Sequence, residues 1–265
     1  MFNIANIFTS FNLISGVIAI VLAVVGRIDL APFAIFIGAF FDFFDGFIAR
    51  RLNQQSEMGK QLDSLADMVT FGVAPGVIMM VILTMDVNGF IAAPYYEVIP
   101  YDFMLHMSDI INGEWIDLTP FVALFIPFFA LFRLAKFNVD DRQTDSFIGV
   151  PTPAITLFFM AFPLILTYPQ YTPDFVLENL NSLFDQIVLC VIIVSMSVLM
   201  VLEFPLFSLK FKTFDFGSNQ TRYLFLLISI ILIVFLKTLS IALIVFLYVL
   251  ISLVQLATTK KNKTE

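Results

Sequence analysis

The chain has 265 residues, of which 60% are hydrophobic and 13% charged, with 33 phenylalanines and a mean hydropathy of +0.95. A soluble fold of this length cannot bury so much apolar surface, so an ordinary globular domain is excluded and most of the chain must face lipid. The formal net charge of −7 argues against nucleic acid as a partner, and the single cysteine, Cys190, excludes an internal disulfide and most thiolate metal sites.

Residues 1–10 contain no Lys or Arg, unlike a cleavable signal peptide. Ile4, Ile7, Phe8 and Phe11 share one helical face with Asn6 and Thr9 opposite, which predicts a short N-terminal amphipathic helix in the membrane interface. Apolar runs then predict spanning helices over about 13–25, 30–50, 65–84, 118–136, 152–168, 186–202, 223–236 and 240–256. Each is near the roughly 20 residues that cross a bilayer. The third is expected to break near Gly72, Pro75 and Gly76, and 86–117, which holds the only histidine, His106, reads as the longest loop. The last two are short and tightly joined. The expectation is an all-α integral membrane protein, a bundle of about eight transmembrane helices: six plus a C-terminal pair that reads equally as one hairpin.

No soluble domain, linker or internal repeat is visible, so 1–265 reads as one membrane domain, with the chemistry within 3–155 and C-terminal helices over 184–257. Arg50, Arg51, Lys60, Arg133, Lys136, Arg142, Lys210, Lys212, Arg222, Lys260, Lys261 and Lys263 flank one side of the predicted spans, and only Arg27 and Lys237 the other. The positive-inside rule then places both termini and the 50–60 turn in the cytoplasm.

That turn joins two carboxylate-bearing segments. Helical spacing puts Asp42, Asp45 and Ala49 on one face of a first helix, and Asp63 and Asp67 on one face of a second. A short link makes the two helices antiparallel, so the four carboxylates can converge. Ionised groups in such apolar surroundings are costly unless paired. Oxygen ligands without thiol or nearby histidine suit Mg²⁺ or Mn²⁺. Gly46, Ala49, Gly59 and Ala66 leave room beside them, and the guanidinium fork of Arg50 suits phosphate oxygens. The residues thus suggest a divalent-metal, phosphate-handling site; the alternative is a capped, solvated helix pair at the membrane edge.

The ordered string Asp42-x2-Asp45-Gly46-x2-Ala49-Arg50-x8-Gly59-x3-Asp63-x3-Asp67 resembles the signature of the CDP-alcohol phosphotransferases at every fixed position. Further stretches are similar to the serine-using bacterial branch of that family. These are 4–9 with Asn12-Leu13-Ile14-Ser15-Gly16, the run 63–75, Arg133-Leu134-Ala135-Lys136-Phe137-Asn138, and 147–154. Ala5 stands where members often have Pro, and Lys136 where Arg is frequent, which keeps the charge but loses the fork. The resemblance ends near residue 155.

The resemblance implies transfer of the phosphatidyl group of CDP-diacylglycerol to the hydroxyl of L-serine, within a bacterial-type inner or cell membrane. It implies two Mg²⁺ or Mn²⁺ ions on Asp42, Asp45, Asp63 and Asp67, with Asp67 as the base. The CDP and diphosphate would lie among Asn6, Thr9, Asp42, Gly46, Arg50, Gly59, Asp63 and Ser64. Arg133 and Lys136 are candidates for the serine carboxylate or, equally, positive-inside anchors. A homodimer is the implied assembly. Competing readings are another acceptor, glycerol 3-phosphate or an inositol phosphate, in the same family, a polyprenyl-diphosphate transferase, and a divalent-cation transporter. The apolar stretches 30–41 and 77–83 leave no polar path for transport.

Overall fold

Caps and apolar runs set the helices, and small residues decide how they meet. The computed structural model describes residues 3–85, 95–113, 117–140, 148–207 and 215–261, without the side chains of 95–101, 218 and 257–261. Arg142, Lys210, Lys212 and Lys263, used above for orientation, lie outside the described residues, as does Phe147. The side chains of Lys260 and Lys261 do so too.

Helix α1 (Ile4–Val24) starts at Asn3, whose side-chain oxygen accepts from the Asn6 amide at 2.7 Å. With no proline and one glycine it runs unbroken, so the separate interfacial helix expected here is corrected to the first turns of a single span. The amphipathic pattern is real, but its polar face looks into protein. Asn6, Thr9, Asn12 and Ser15 are buried, whereas Ile4, Ile7 and Phe11 are exposed on the lipid side. Helix α2 (Ala31–Arg51) has Pro32 in its first turn and ends in Arg50 and Arg51. The link that follows turns at Asn53, φ 53°.

Helix α3 (Glu57–Leu83) is capped by Ser56, whose hydroxyl oxygen accepts from the Gly59 amide at 3.0 Å. The break expected near Gly72, Pro75 and Gly76 is replaced by a π turn over Met68–Val73. Pro75 has no N–H for the Phe71 carbonyl four residues back, and its ring crowds that carbonyl. The wider turn relieves the crowding, and the Thr156 hydroxyl donates to the Phe71 oxygen at 2.7 Å. Within this turn Thr70 is fully buried between α1 and α2. A Cβ on Gly16 would lie 2.5 Å from Thr70 Oγ1, and one on Gly38 2.7 Å from its Cγ2. Lipid tails are as apolar as Leu, so close contacts like these, rather than hydrophobic drive, join membrane helices.

Helix α4 (Tyr95–Asn112) occupies the stretch expected to be a loop, and so carries His106. Phe103 is buried and Met107, four residues on, packs against the core, an i,i+4 pair that gives this helix an inner face. Helix α5 (Thr119–Val139) begins with a 3₁₀ stretch to Leu124. Helices α6 (Thr152–Thr167) and α7 (Gln186–Val201) have 16 residues each. Helices α8 (Phe216–Leu236) and α9 (Thr238–Lys261) have 21 and 24. The rings of Phe225 and Tyr248, at similar sequence distances either side of Lys237, lie 5.9 Å apart, so α8 and α9 form an antiparallel hairpin. Expected to be short, this pair proves long; the short apolar helices are α6 and α7. Among the described residues six helices are long and apolar enough to span a membrane and two more apolar ones are shorter, matching the eight predicted segments, so the chain is an all-α integral membrane protein.

Among the described residues the extended structure is an isolated bridge between Ile148 and Pro205. There the Gly149 amide donates to Phe204 O at 2.9 Å and the Val150 amide to Leu199 O at 3.2 Å. The Phe207 amide in turn donates to Ser252 Oγ at 3.1 Å, and Tyr248 donates to the Phe207 carbonyl at 3.0 Å. This strap ties the C-terminal hairpin to the start of α6. At the opposite end, Arg27 makes two 2.9 Å bonds to Asp29.

Candidate active site

The site lies where α1 and α3 begin and α2 ends, closed on the far side by the end of α5 and the start of α6. Asp42 comes from the fourth turn of α2, and Asp63 and Asp67 from successive turns of α3. Their carboxylates converge, with one oxygen of each within 4.8 Å of the others, and all three are half-buried. Such close like charges in a poorly solvated place repel strongly unless a cation sits among them. An all-oxygen set of this size fits a divalent cation of the Mg²⁺ or Mn²⁺ class.

Asp45, one turn beyond Asp42, stands outside that trio. It is 5% exposed, and the Thr9 hydroxyl donates to its Oδ2 at 2.6 Å. Thr9, expected to face a nucleotide, is therefore also a clamp on a carboxylate. Asp67 has its own donor: Asn12 Nδ2, at 3.0 Å from Oδ1. Asn12 had no site role in the sequence reading, and nothing in its local spacing marks a bond across 55 positions.

Two cavities adjoin the carboxylates and share Asp45, Gly46, Arg50 and Asp63. The first, of about 440 Å³, opens between the start of α1, the 52–56 link and α3. It is lined by Asn6, Thr9, Ala49, Gln54, Gln55, Ser56, Glu57, Gly59 and Lys60 besides the shared residues. Gln54, Gln55, Glu57 and Lys60 had no site role in the sequence reading. Gln54 Oε1 accepts from the Ala5 amide at 3.4 Å, holding the start of α1 to the link. A Cβ on Gly59 would lie 3.3 Å from Asn6 Oδ1, and one on Gly46 3.4 Å from the Arg50 guanidinium. Small residues thus keep the floor low where Arg50 lies.

The second cavity, of about 460 Å³, runs from the carboxylates to α5 and α6 and is lined by Asp42, Asp67, Phe43, Arg133, Leu134, Phe137, Pro151, Thr152 and Pro153 in addition. Arg133 is 3% exposed, with its guanidinium 5.4 Å from the centre of the Phe137 ring. Pro151 caps α6 and Pro153 lies in its first turn, so both act as helix entry and as wall.

Three residues named from the sequence sit apart from the cavities or are otherwise engaged. Lys136 pairs with Glu203 and does not line the second cavity. Ser64 accepts from Asn138 Nδ2 at 2.7 Å, and Lys60 donates to Asn138 O at 2.7 Å. Asn138 thus bonds α5 to α3. Ser64 itself lines neither cavity. The acidic trio, Arg50 and Arg133 are therefore what the fold assembles around the shared space.

The sequence model of the CDP-alcohol phosphatidyltransferase family matches residues 2–198. A CDP-diacylglycerol–serine O-phosphatidyltransferase of Bacillus subtilis (strain 168) is 32% identical over 164 residues, which are 61% of this chain and 73% of that protein. One of Helicobacter pylori (strain J99) is 31% identical over 163 residues, 60% of this chain and 56% of its own length. An archaetidylserine synthase of Methanothermobacter thermautotrophicus is 24% identical over 180 residues, 67% of this chain and 65% of that protein. The family match ends within α7 and leaves the α8–α9 hairpin outside it.

Proposed function

The chain belongs to the CDP-alcohol phosphatidyltransferase family, and from that premise we propose that it transfers the phosphatidyl group of CDP-diacylglycerol to L-serine, yielding phosphatidylserine and CMP. The observation that carries the reading is the meeting of Asp42, Asp63 and Asp67 at the junction of two cavities, one holding Arg50 and the other also Arg133. The relatives named for serine transfer support this acceptor.

Asp42, Asp63 and Asp67, with Asp45 beside them, would hold the divalent ions, Mg²⁺ or Mn²⁺ and two in number. When bound, such ions neutralise the diphosphate and stabilise departing CMP. The cytidine and diphosphate fill the first cavity, against Asn6, Gly46 and Gly59, with Arg50 on the phosphate oxygens; Ser64, outside the cavity and bonded to Asn138, is left without a contact to them. The acyl chains stay in the bilayer. Serine enters the second cavity, its carboxylate on Arg133, with Lys136 a more remote candidate because of its Glu203 pairing.

Asp67 accepts the hydroxyl proton as the serine oxygen forms its bond to the phosphorus bearing diacylglycerol. The phosphorus–oxygen bond to CMP breaks in the same displacement, and CMP leaves with the electron pair. No nucleophilic Ser, Cys or His is needed, so the transfer passes through no phosphatidyl-enzyme.

The positive charges around this end support a cytoplasmic site and cytoplasmic termini, where serine and CMP are soluble. A homodimer, implied by the family resemblance, belongs to the same proposal. A detergent-corrected mass of twice 30.0 kDa tests it, and a fully active monomer rejects it.

The substrate test is CMP release from CDP-diacylglycerol in detergent with Mg²⁺ or Mn²⁺, offering serine, glycerol 3-phosphate and inositol phosphate in parallel. Serine-dependent release that Asp67→Asn abolishes supports the reading. Release only with another acceptor rejects serine. CMP release without any acceptor, with a trappable phosphatidyl-enzyme, rejects the single displacement.

A further inference from the structure

We propose that Asn12 is a positioning residue for Asp67, fixing which carboxylate oxygen it turns toward Asp42 and Asp63. This rests on reading those carboxylates as divalent-cation ligands. Asn12 is fully buried in α1, and its Nδ2 donates to Asp67 Oδ1 at 3.0 Å. The reversed amide would set oxygen against a carboxylate oxygen, so the bond itself assigns the nitrogen. With Oδ1 held by the amide, the second oxygen of Asp67 is the one left to the cluster.

Two contacts keep Asn12 from turning away. Thr70 Oγ1 donates to its backbone carbonyl at 2.9 Å, fixing α1 against the π turn that begins directly after Asp67. Gly38 lies so close that a Cβ there would be 3.2 Å from Asn12 Oδ1. That Oδ1 has no hydrogen-bond partner among the described residues, so the amide is retained in an apolar contact at the expense of one of its own polar groups. A buried polar side chain that is only half satisfied is kept for what its other half does, and here that half touches Asp67. Neutrality matters as well. An Asp at this position would add another carboxylate to the group, and a cationic side chain would compete with a metal ion. Partners of this kind, one bond removed from the metal, set ligand orientation, and losing one typically costs 10–100-fold in metal affinity or activity.

The test uses the full chain in detergent, with Asn12→Leu, which keeps the volume without the donor, and Asn12→Ala, which removes the donor without adding bulk. Manganese binding is read by electron paramagnetic resonance without substrate, beside the thermal midpoint, kcat and the serine KM. Expected is a Mn²⁺ Kd raised about 10–100-fold with a lower kcat and a serine KM changed less than about twofold. Leu or Ala variants that fold and bind Mn²⁺ with wild-type affinity overturn the role of Asn12. If Asn12→Leu does not fold, Asn12→Ala decides by the same criterion. A wild-type protein that neither binds Mn²⁺ nor releases CMP with serine rejects the reading of the site itself, which is a different result.

Discussion

Arg133 is a cation nine-tenths or more withdrawn from solvent at the end of a spanning helix, facing a cavity that also holds Asp42 and Asp67. A hydrogen bond to a charged group contributes about 1.5–3 kcal/mol, or roughly 10–100-fold in affinity. Arg133→Ala is therefore expected to raise the serine KM by about that factor and leave the CDP-diacylglycerol KM nearly unchanged. Lys136→Met, which removes a cation held by Glu203, should shift the serine KM by less than about threefold. Steady-state kinetics with each substrate varied checks both, and equal effects of Arg133→Ala on the two KM values would contradict the assignment. At this scale the sequence was legible where chemistry follows helical period: three of the four carboxylates expected to converge, Asp42, Asp63 and Asp67, form one cluster, while Asp45 is held by Thr9 outside it. It was not legible for Thr9 on Asp45 or Asn12 on Asp67, because these bonds join residues 36 and 55 positions apart.

Among elements, the strap between 148–150 and 199–207 has the clearest energetic signature. Gly149 has φ +74°, and a Cβ there would lie 2.7 Å from Met200 O and 2.9 Å from Leu202 O, both backbone atoms that cannot swing aside. The backbone conformation alone costs a non-glycine residue about 1–3 kcal/mol. Gly149→Ala is thus expected to lower the thermal midpoint in detergent by several degrees. Because Pro151 and Thr152 wall the second cavity directly after this strap, the serine KM should rise with it. An unchanged midpoint would show that the strap carries no stability. Neither this strap nor the π turn had a sequence signal beyond Gly149 and Pro75 themselves, since what each needs lies elsewhere: the carbonyls of 200–204 and the hydroxyl of Thr156. The continuity of α1 escaped for a related reason. Asn6 and Thr9 look like a headgroup-facing surface until α2 and α3 are in place to cover them.

At the scale of the molecule, the eight apolar segments found among the described residues were readable because bilayer thickness fixes segment length. Helix α4 was not, since a run without basic residues reads as a loop until Phe103 and Met107 are seen against the core. The fold brings the start of α1, the 52–56 link and the ends of α5 and α7 to one side, which the proposal above assigns to the cytoplasm. A cysteine at Gln55, in a Cys190→Ser background, is expected to react with a membrane-impermeant maleimide only after right-side-out cell membranes are opened. Labelling of intact cells would reverse the orientation.

The central claim is that Asp42, Asp63 and Asp67 hold the divalent ions on which transfer to serine depends. The most direct measurement is serine-dependent CMP release by EDTA-treated protein during titration with Mn²⁺, with bound Mn²⁺ followed in the same samples for the wild type and Asp42→Asn. The account predicts no release in EDTA, recovery in step with Mn²⁺ binding, and loss of both in a folded Asp42→Asn protein. Serine-dependent release that persists in EDTA, or survives unchanged in Asp42→Asn, would contradict it.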